Sequence, residues 1–259
     1  MISCASLNER DIFYVILVPM LRLFLFSFYF SFIELPSVVL EQILQLIGLK
    51  KAVKISHLHS RLHDIVFTCP VIWHKVKFVN GFNPSTKLFN SLTSKLAHVR
   101  FLQIPDSLTA GKGTFQQFSI DYFAFRMILS TKLTFLDLSG SSISTLCFVP
   151  HLISLRVLIM HNCPMLNSYD FECLAPASKT LTKIFIGGNR ITADEALRWL
   201  PRHSEIVGLQ GVVFDADQLV QLGYRFSHLK EVYLATYIVD NILLMAINEL
   251  FPDLVYHLN

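Results

Sequence analysis

A short apolar pattern, repeated at near-constant spacing, constrains the fold of this 259-residue chain more than any other feature. In each complete copy an apolar residue is followed three positions later by a second and five positions later by a third. The copies start at Leu96, Leu133, Leu155, Leu181, Ile206 and Leu229, and the last five starts are 22, 26, 25 and 23 residues apart. Alternating apolar residues favour a short strand with one buried face. A unit this small buries that face only against its neighbours, so the pattern predicts a stack of parallel strands.

The period and the motif resemble those of the leucine-rich-repeat family. Asn189 follows the strand predicted after Leu181, where that family places an asparagine that binds the backbone of the turn, and Asn162 and Cys163 lie near the equivalent place. The resemblance implies an α/β solenoid with parallel strands on its concave face and helices or loops outside. Helical spacing is present at residues 168–174, 192–200, 215–222 and 239–250, with Thr192 as an N-cap before an acidic first turn. The longer gap before Leu133 predicts a loop at residues 108–113 and a helix at residues 115–129.

Helical patterns precede the repeats. Pro36 suits the first turn of a helix, and Gly48 ends the pattern formed by Leu40, Ile43, Leu44 and Ile47. A second helical pattern runs through Val53, Ile55, Leu58, Leu62, Ile65 and Val66 until Cys69 and Pro70 break it, and Trp73 follows. Helices this short bury little core by themselves, so apolar residues remain on their surface. The region is therefore predicted to be a docking module.

The order of residues in this region resembles an F-box, the helical domain that binds the Skp1 subunit of cullin-RING ubiquitin ligases. The resemblance rests on Leu35-Pro36, Ile43, Leu46/Ile47, Ile55-Ser56, Arg61 and Trp73. The chain departs from the family at His59, where a cysteine is usual, and at Leu62, where a tryptophan is usual. The resemblance implies contact with, or support for, a Skp1-like adaptor by Leu35, Pro36, Leu40, Ile43, Ile47, Ile55, Leu58, Leu62 and Trp73.

A helical docking module followed by a repeat array resembles the F-box and leucine-rich-repeat subfamily. The resemblance implies a non-catalytic substrate receptor of a Skp1-cullin-F-box ligase, which brings a target protein to ubiquitination and proteasomal degradation. It divides the chain into an F-box at 34–78, a connector at 79–95 and repeats at 96–259. The last residues, from Leu254 to Asn259, look like the start of another repeat without a polar cap, so we expect a truncated carboxyl end. The sequence does not identify the target.

An amino-terminal extension, residues 1–33, comes before the docking module, and its residues 12–33 are hydrophobic. The length of this hydrophobic segment suits a membrane-spanning helix, although Arg22 near its centre is unfavourable in a bilayer. Three interpretations stay open: a membrane anchor, an atypical or non-native extension, and a core helix. An anchor would favour a different function, a membrane-tethered repeat scaffold without a role in ubiquitination.

Charge and cysteine usage narrow the classes of function further. A net charge of +3 without a basic tract does not favour nucleic-acid binding. The five cysteines form no Cys-x-x-Cys pair and are odd in number, which favours reduced thiols in the cytoplasm or nucleus over disulfides or a zinc site. Cys163 and Cys173 are interpreted as small core residues.

Three motifs with possible chemistry do not support an enzyme or a cofactor site. His59 and His63 lie one helical turn apart but lack further metal ligands. The segment 111–114 lacks the first glycine of a phosphate-binding loop, and the segment 139–142 lacks the flanking glycines of a nucleophile elbow. We therefore predict no catalytic residue, no metal and no cofactor.

The residues between the buried positions of the repeats would line the concave face. They are His98, Arg100, Phe135, Asp137, Val157, Ile159, His161, Lys183, Phe185, Gly208, Gln210, Glu231 and Tyr233. Phe135, Ile159, Phe185 and Tyr233 would form an apolar stripe typical of a binding site, unless a neighbouring loop covers it. We predict that the target contacts Arg100, Phe135, Asp137, Ile159, His161, Phe185 and Tyr233.

Overall fold

Parallel strands dominate the computed structural model, which describes residues 32–77, 86–104, 126–141, 143–176, 180–234, 245 and 248–258. Eight strands form one sheet in chain order, each parallel to the next. They are β1 Lys75–Lys77, β2 Phe101–Gln103, β3 Phe135–Asp137, β4 Val157–Ile159, β5 Lys183–Phe185, β6 Ile206–Gly208, β7 Glu231–Leu234 and β8 Val255–Leu258. The predicted α/β solenoid of leucine-rich-repeat type is confirmed, and the last predicted repeat contributes β8.

The helices lie at the amino-terminal end and on the outer side of the sheet. The α-helices are α1 Ser37–Ile47, α2 Leu49–Ser56, α3 Ser60–Thr68, α4 Thr86–Lys95, α5 Ala193–Trp199 and α6 Ala216–Arg225. Short 3-10 helices are found at Phe32–Glu34, Pro70–Trp73, Leu96–His98, Val149–His151 and Ser168–Leu174. Residues 79–85 of the predicted connector, the predicted loop 108–113, residues 115–125 of the predicted helix 115–129, and most of the predicted helix 239–250 fall outside the described residues.

The core of the solenoid is a ladder of strand residues. The central residue of each of the first seven strands is fully buried and is paired in register with its equivalents. These residues are Val76, Leu102, Leu136, Leu158, Ile184, Val207 and Val232. Since each strand is only three or four residues long, its apolar side is covered by neighbouring repeats rather than by its own unit.

For two copies of the repeat pattern the predicted starting residue, called here the frame, is wrong. The first copy begins at Val99, not at Leu96, because Leu102 pairs with Leu136 and is buried. Leu96 is also apolar and lies three residues before Val99, so both frames fit the pattern. In the copy assigned to Ile206, Val207 is the buried strand residue, and a buried serine, Ser204, replaces the leading leucine. The Ser204 hydroxyl donates to the Pro201 carbonyl at 2.8 Å, which satisfies it inside the core.

Each turn after β3, β4, β5 and β6 contains one residue with a positive φ, four positions beyond the central strand residue. These residues are Gly140 (70°), Asn162 (52°), Gly188 (74°) and Gly211 (87°). Glycine adopts this left-handed conformation without steric cost, and asparagine is among the few other residues that tolerate it. The sequence therefore turns the chain at the same point in four consecutive repeats.

The next position along, occupied by Ser141, Cys163, Asn189 and Val212, points into the core of the turn. The Asn189 Nδ2 donates to the carbonyls of Met160 and Ile186, and its Oδ1 accepts the Cys163 N–H at 2.8 Å. Asn189 thus ties the turn after β4 to the turn after β5, as the family resemblance implies. Cys163 occupies the equivalent position one repeat earlier and is buried.

The outer segments begin with side-chain caps. Asn167, Thr192 and Asp215 each form a capping box at the start of the 3-10 helix 168–174, of α5 and of α6. The predicted N-cap at Thr192 is confirmed, because its hydroxyl accepts the Glu195 N–H and the Glu195 carboxylate accepts the Thr192 N–H. The backbone hydrogen bond from Thr192 lowers the pKa of Glu195, so this cap holds its charge at neutral pH.

The amino-terminal helices α1, α2 and α3 form a helical unit, defined here as residues 32–74. The second helical pattern is two helices rather than one, because the chain breaks at residues 57–59. His59 has an extended backbone, and its Nδ1 accepts the Arg61 N–H at 3.1 Å, which caps α3. His59 therefore caps a helix, a role that the sequence analysis, which considered it as a possible metal ligand, did not predict.

The helical unit and the repeats share one continuous core. Trp73 is fully buried, and its indole N–H donates to the Val66 carbonyl at 2.8 Å. Two residues later the chain enters β1, which pairs with β2. The sheet therefore begins inside the segment 34–78, ahead of the predicted repeat array.

A bilayer-spanning segment is not found among the described residues, where every helix is too short or too polar for that role. Most of the hydrophobic segment 12–33 lies outside the described residues. Its last two residues, Phe32 and Ile33, belong to a 3-10 helix and pack against the core.

The residues Ser141, Cys163, Asn189 and Val212 are called here the turn ladder, and the substitution Asn189→Ala tests it. It removes three hydrogen bonds and leaves buried backbone groups unpaired, so we expect the free energy of unfolding to fall by about 2–4 kcal/mol. Urea denaturation measures the change. The neighbouring, exposed Arg190→Ala should change it by less than about 0.5 kcal/mol. Equal effects of both substitutions would contradict the assigned role of Asn189.

Candidate functional site

The concave face of the sheet consists of two rows of side chains. The first concave row contains the first residue of each strand: Lys75, Phe101, Phe135, Val157, Lys183, Ile206, Glu231 and Val255. The second concave row contains the third residue of each strand: Lys77, Gln103, Asp137, Ile159, Phe185, Gly208, Tyr233 and His257. Side chains of one row are in register, so neighbours in a row contact each other across strands.

Two stacked rings lie at the amino-terminal end of the first concave row, on β2 and β3. Phe101 and Phe135 lie face to face, with ring centroids 4.1 Å apart and planes at 8°. The Lys75 ammonium is 5.2 Å from the centroid of the Phe101 ring, within range of a cation–π interaction. The two rings are half-buried, so they present apolar surface to solvent with a positive charge at one end.

Three rings of the second concave row form a cluster, called here the aromatic cluster: Phe185, Tyr233 and His257. Tyr233 stacks on His257 at 4.2 Å between centroids, and Phe185 lies 5.6 Å from Tyr233. Phe185 and Tyr233 belong to β5 and β7, which are separated by β6. They meet because β6 has Gly208 between them: a Cβ at this glycine would lie 2.4 Å from the Phe185 Cδ1.

Glu231 holds the aromatic cluster from the first concave row. Its Oε2 accepts the Tyr233 hydroxyl at 3.0 Å and lies 3.1 Å from the His257 Nε2. The hydrogen bond to Glu231 raises the pKa of Tyr233, so the phenol stays neutral and keeps donating at physiological pH. One carboxylate thus orients two rings of the cluster.

Asp137 is mainly a structural residue. Its Oδ2 accepts the Gln103 amide at 2.8 Å, and its Oδ1 accepts the Ser139 N–H at 3.0 Å. One oxygen thus fixes the turn after β3 and the other joins β3 to β2, although the residue lies on the concave face as predicted.

The predicted single stripe of Phe135, Ile159, Phe185 and Tyr233 on successive strands is wrong in its geometry. Phe135 belongs to the first concave row, and the other three belong to the second. Ile159 and Phe185 are on adjacent strands, but Tyr233 is reached only across Gly208. His161 lies just beyond β4, with its ring 6.2 Å from that of Phe185.

Some residues predicted on the concave face lie elsewhere, because the frames of two repeats are wrong. Arg100 and His98 precede β2, so they lie outside the two rows, and Gln210 follows β6. Phe101 and Ile206, which the frames assigned to the core, belong to the first concave row. The sequence analysis does not predict His257 on the concave face, because it treats residues 254–259 only as the start of another repeat and assigns no strand there.

A second candidate surface is the outer side of the helical unit, called here the helical apolar face. Val38, Leu46 and Leu58 are 64%, 65% and 77% exposed, and Pro36 and Val39 are exposed as well. Val39 and Leu46 lie two turns apart on one side of α1, while Leu40 and Leu44 on the other side are buried. Leu35, Ile43, Ile47 and Ile55 are half-buried between these two sides.

Arg61 fixes the start of the helical apolar face. Its guanidinium donates to the carbonyls of Ile33 and Leu35, the latter at 2.8 Å, and to the Ser37 hydroxyl at 3.2 Å. These bonds attach the segment before α1 to α3. The position of Leu35 and Pro36 is therefore set by a charged side chain from another helix.

Three residues predicted for adaptor contact are inside the protein. Leu40, Leu62 and Trp73 are buried in the core that the helical unit shares with the repeats. They support the helical apolar face from behind and cannot touch a partner in this conformation. Val38 and Val39 are exposed residues that the sequence prediction omitted, although their place opposite Leu40 and Leu44 on α1 was available from helical spacing.

The substitution Gly208→Ala tests the packing of the aromatic cluster. The added methyl group would displace the Phe185 ring, so we expect a loss of about 1–3 kcal/mol in stability. In a Phe185→Ala background the same substitution should cost much less, because the Gln210 Oε1, 3.2 Å from the added Cβ, is then the remaining near atom. Urea denaturation of the four proteins of this double-mutant cycle measures the coupling, and an equal cost in both backgrounds would contradict the geometry.

Comparisons with known proteins find likenesses among solved structures. No protein-family model matches the sequence, and no curated protein matches it. Among solved structures, the chain is similar to the leucine-rich repeat-containing protein LegL7 from Legionella pneumophila, at 17% sequence identity and a TM-score of 0.45, over 72% of this chain and 67% of that one.

Proposed function

We propose that this protein is the substrate-recognition subunit of an SCF-type ubiquitin ligase. The helical unit would dock on a Skp1-like adaptor, and through it on a cullin-RING ligase, while the concave face would bind the target protein. The observation that carries the proposal is the two-sided helical unit. Its inner side is buried against the repeats, and its outer side leaves apolar residues exposed.

The adaptor would cover the helical apolar face. Fully burying an aliphatic side chain contributes about 1.5–3 kcal/mol, so Val38, Leu46 and Leu58 together could supply much of the binding energy. Arg61 would contribute indirectly, because it holds Leu35 and Pro36 in place before the partner arrives. A prearranged surface loses less conformational entropy on binding.

The target would bind across the two concave rows. Stacked phenylalanines and the aromatic cluster provide rigid rings, the residue type that dominates binding energy in protein interfaces. The chain itself would supply no catalytic group. It would hold the target near the ubiquitin-transfer machinery, so its contribution to the reaction is proximity.

The docking part of the proposal is tested with Val38→Asp combined with Leu46→Asp. Two charges on the helical apolar face would have to be desolvated on docking, so capture by purified Skp1 should fall at least tenfold in a pull-down. Leu35→Ala with Pro36→Ala should weaken capture as well.

The matched control is Val213→Asp, which alters a valine that is 68% exposed in the repeats. This variant should bind Skp1 like the wild type. Unchanged Skp1 capture by the Val38/Leu46 variant would contradict the docking proposal. Carbonate-resistant membrane association without Skp1 binding would favour the alternative, a membrane-tethered repeat scaffold.

The target part is tested with Phe185→Ala and Tyr233→Ala in proximity-labelling experiments with the proteasome blocked. Each substitution removes a ring of the aromatic cluster, so labelling of the specific targets should fall several-fold while Skp1 labelling stays constant. Tyr169→Ala removes an exposed tyrosine outside the concave rows and serves as the control. A target list that is the same for all variants would contradict a concave binding site.

A further inference from the structure

Two cysteines from consecutive repeats face each other on the outer side of the solenoid. The sulfur atoms of Cys147 and Cys173 are 3.1 Å apart, although the residues are 26 positions apart in the chain. Cys147 lies just before the 3-10 helix Val149–His151, and Cys173 lies within the 3-10 helix Ser168–Leu174. The interpretation of Cys173 as a core residue holds in part: it is half-buried and packs against the core, but its sulfur also faces an exposed thiol.

The two thiols have unequal chemical environments. Hydrogen bonds with the Thr145 hydroxyl and the Cys173 thiol lower the pKa of Cys147. Burial, together with the neighbouring Cys147, raises the pKa of Cys173 to about 11. Since the thiolate is the reactive form, the exposed Cys147 is the better nucleophile of the pair.

Cys69 and Cys163 differ from Cys147 in burial and in the direction of the pKa shift. Burial raises the pKa of both Cys69 and Cys163. Both are buried, and Cys163 is enclosed in the turn ladder between Ser141 and Asn189. Among the described residues, a reactive thiol next to a second thiol is found only at Cys147.

We propose that Cys147 and Cys173 form a reversible dithiol–disulfide site that is oxidised by hydroperoxides. The Cys147 thiolate attacks the peroxide oxygen, the O–O bond breaks, and the leaving alkoxide or hydroxide takes up a proton. Cys147 is then a sulfenic acid. The Cys173 sulfur attacks it, a sulfur–sulfur bond forms, and the sulfenic oxygen leaves as water with the Cys173 proton.

This scheme is balanced, because two thiols lose two electrons and two protons while one peroxide is reduced to water and an alcohol, or to two waters. The sulfur atoms have to approach by about 1 Å to reach a disulfide bond length. A thiol-based reductant would reverse the reaction through a mixed disulfide. The bond would join the outer segments of two repeats and leave both concave rows in place.

The test uses the full chain, treated with hydrogen peroxide and then blocked with an alkylating reagent. Trypsin alone leaves Cys163 and Cys173 on one peptide, 157–179, so Glu-C is added to cut after Glu172. We expect a disulfide between fragment 133–156 and fragment 173–179, with a mass loss of about 2 Da that dithiothreitol reverses. The unfolding temperature should rise by roughly 5 °C on oxidation.

Three variants make the outcome decisive. Cys147→Ser and Cys173→Ser should each abolish the linked peptide and the thermal shift, whereas Cys4→Ser should leave both unchanged. In the reduced wild type, Cys147 should react with iodoacetamide at least about tenfold faster than Cys69 or Cys163. A linkage to Cys4, Cys69 or Cys163, or no linkage at all in folded protein, would overturn the proposal.

Discussion

The mutual burial of strand residues between neighbouring repeats is the interaction on which the rest of the structure depends. A strand of three residues has no core of its own, so Leu136 and Ile184 are shielded from water only while the adjacent strands are in place. The first strand of such a stack lacks a neighbour on one side. Here the helical unit fills that place, since Trp73 and Leu62 are buried in the same core as Val76. The helical unit is thus an amino-terminal cap of the solenoid, whatever else it binds.

The same arrangement separates the two candidate surfaces. The inner side of α1 is used by the core, and its outer side is left to solvent with Val38 and Leu46 exposed. On the sheet, the central strand residues are used by the core and the flanking ones form the concave rows. Neither surface can change its backbone without disturbing the shared core. A rigid link of this kind suits a protein proposed to hold two partners at a fixed distance.

The sequence predicted the architecture because the repeat spacing is itself a consequence of stacking. The frames at Leu133, Leu155, Leu181 and Leu229 were correct, and so was the role of Asn189. The frames failed where two apolar residues competed, at Leu96 and Val99, or where a serine replaced a leucine, at Ser204. Contacts between distant positions could not be predicted in this way. The Arg61 bonds to the segment before α1, the pairing of Cys147 with Cys173 and the closure of Phe185 over Gly208 depend on side-chain directions that a linear pattern does not contain.

The contact between Phe185 and Tyr233 across Gly208 depends on the number of strands between them. Adjacent strands are about 4.8 Å apart, so residues on β5 and β7 start roughly twice that distance from each other. The Phe185 and Tyr233 rings nevertheless approach to 5.6 Å, because the intervening strand presents only a hydrogen atom at Gly208. The cluster therefore depends on four successive strands, from β5 with Phe185 to β8 with His257. Gain or loss of a single repeat between β5 and β7 would dismantle it, so this part of the array is far less free to vary in length than a modular solenoid usually is.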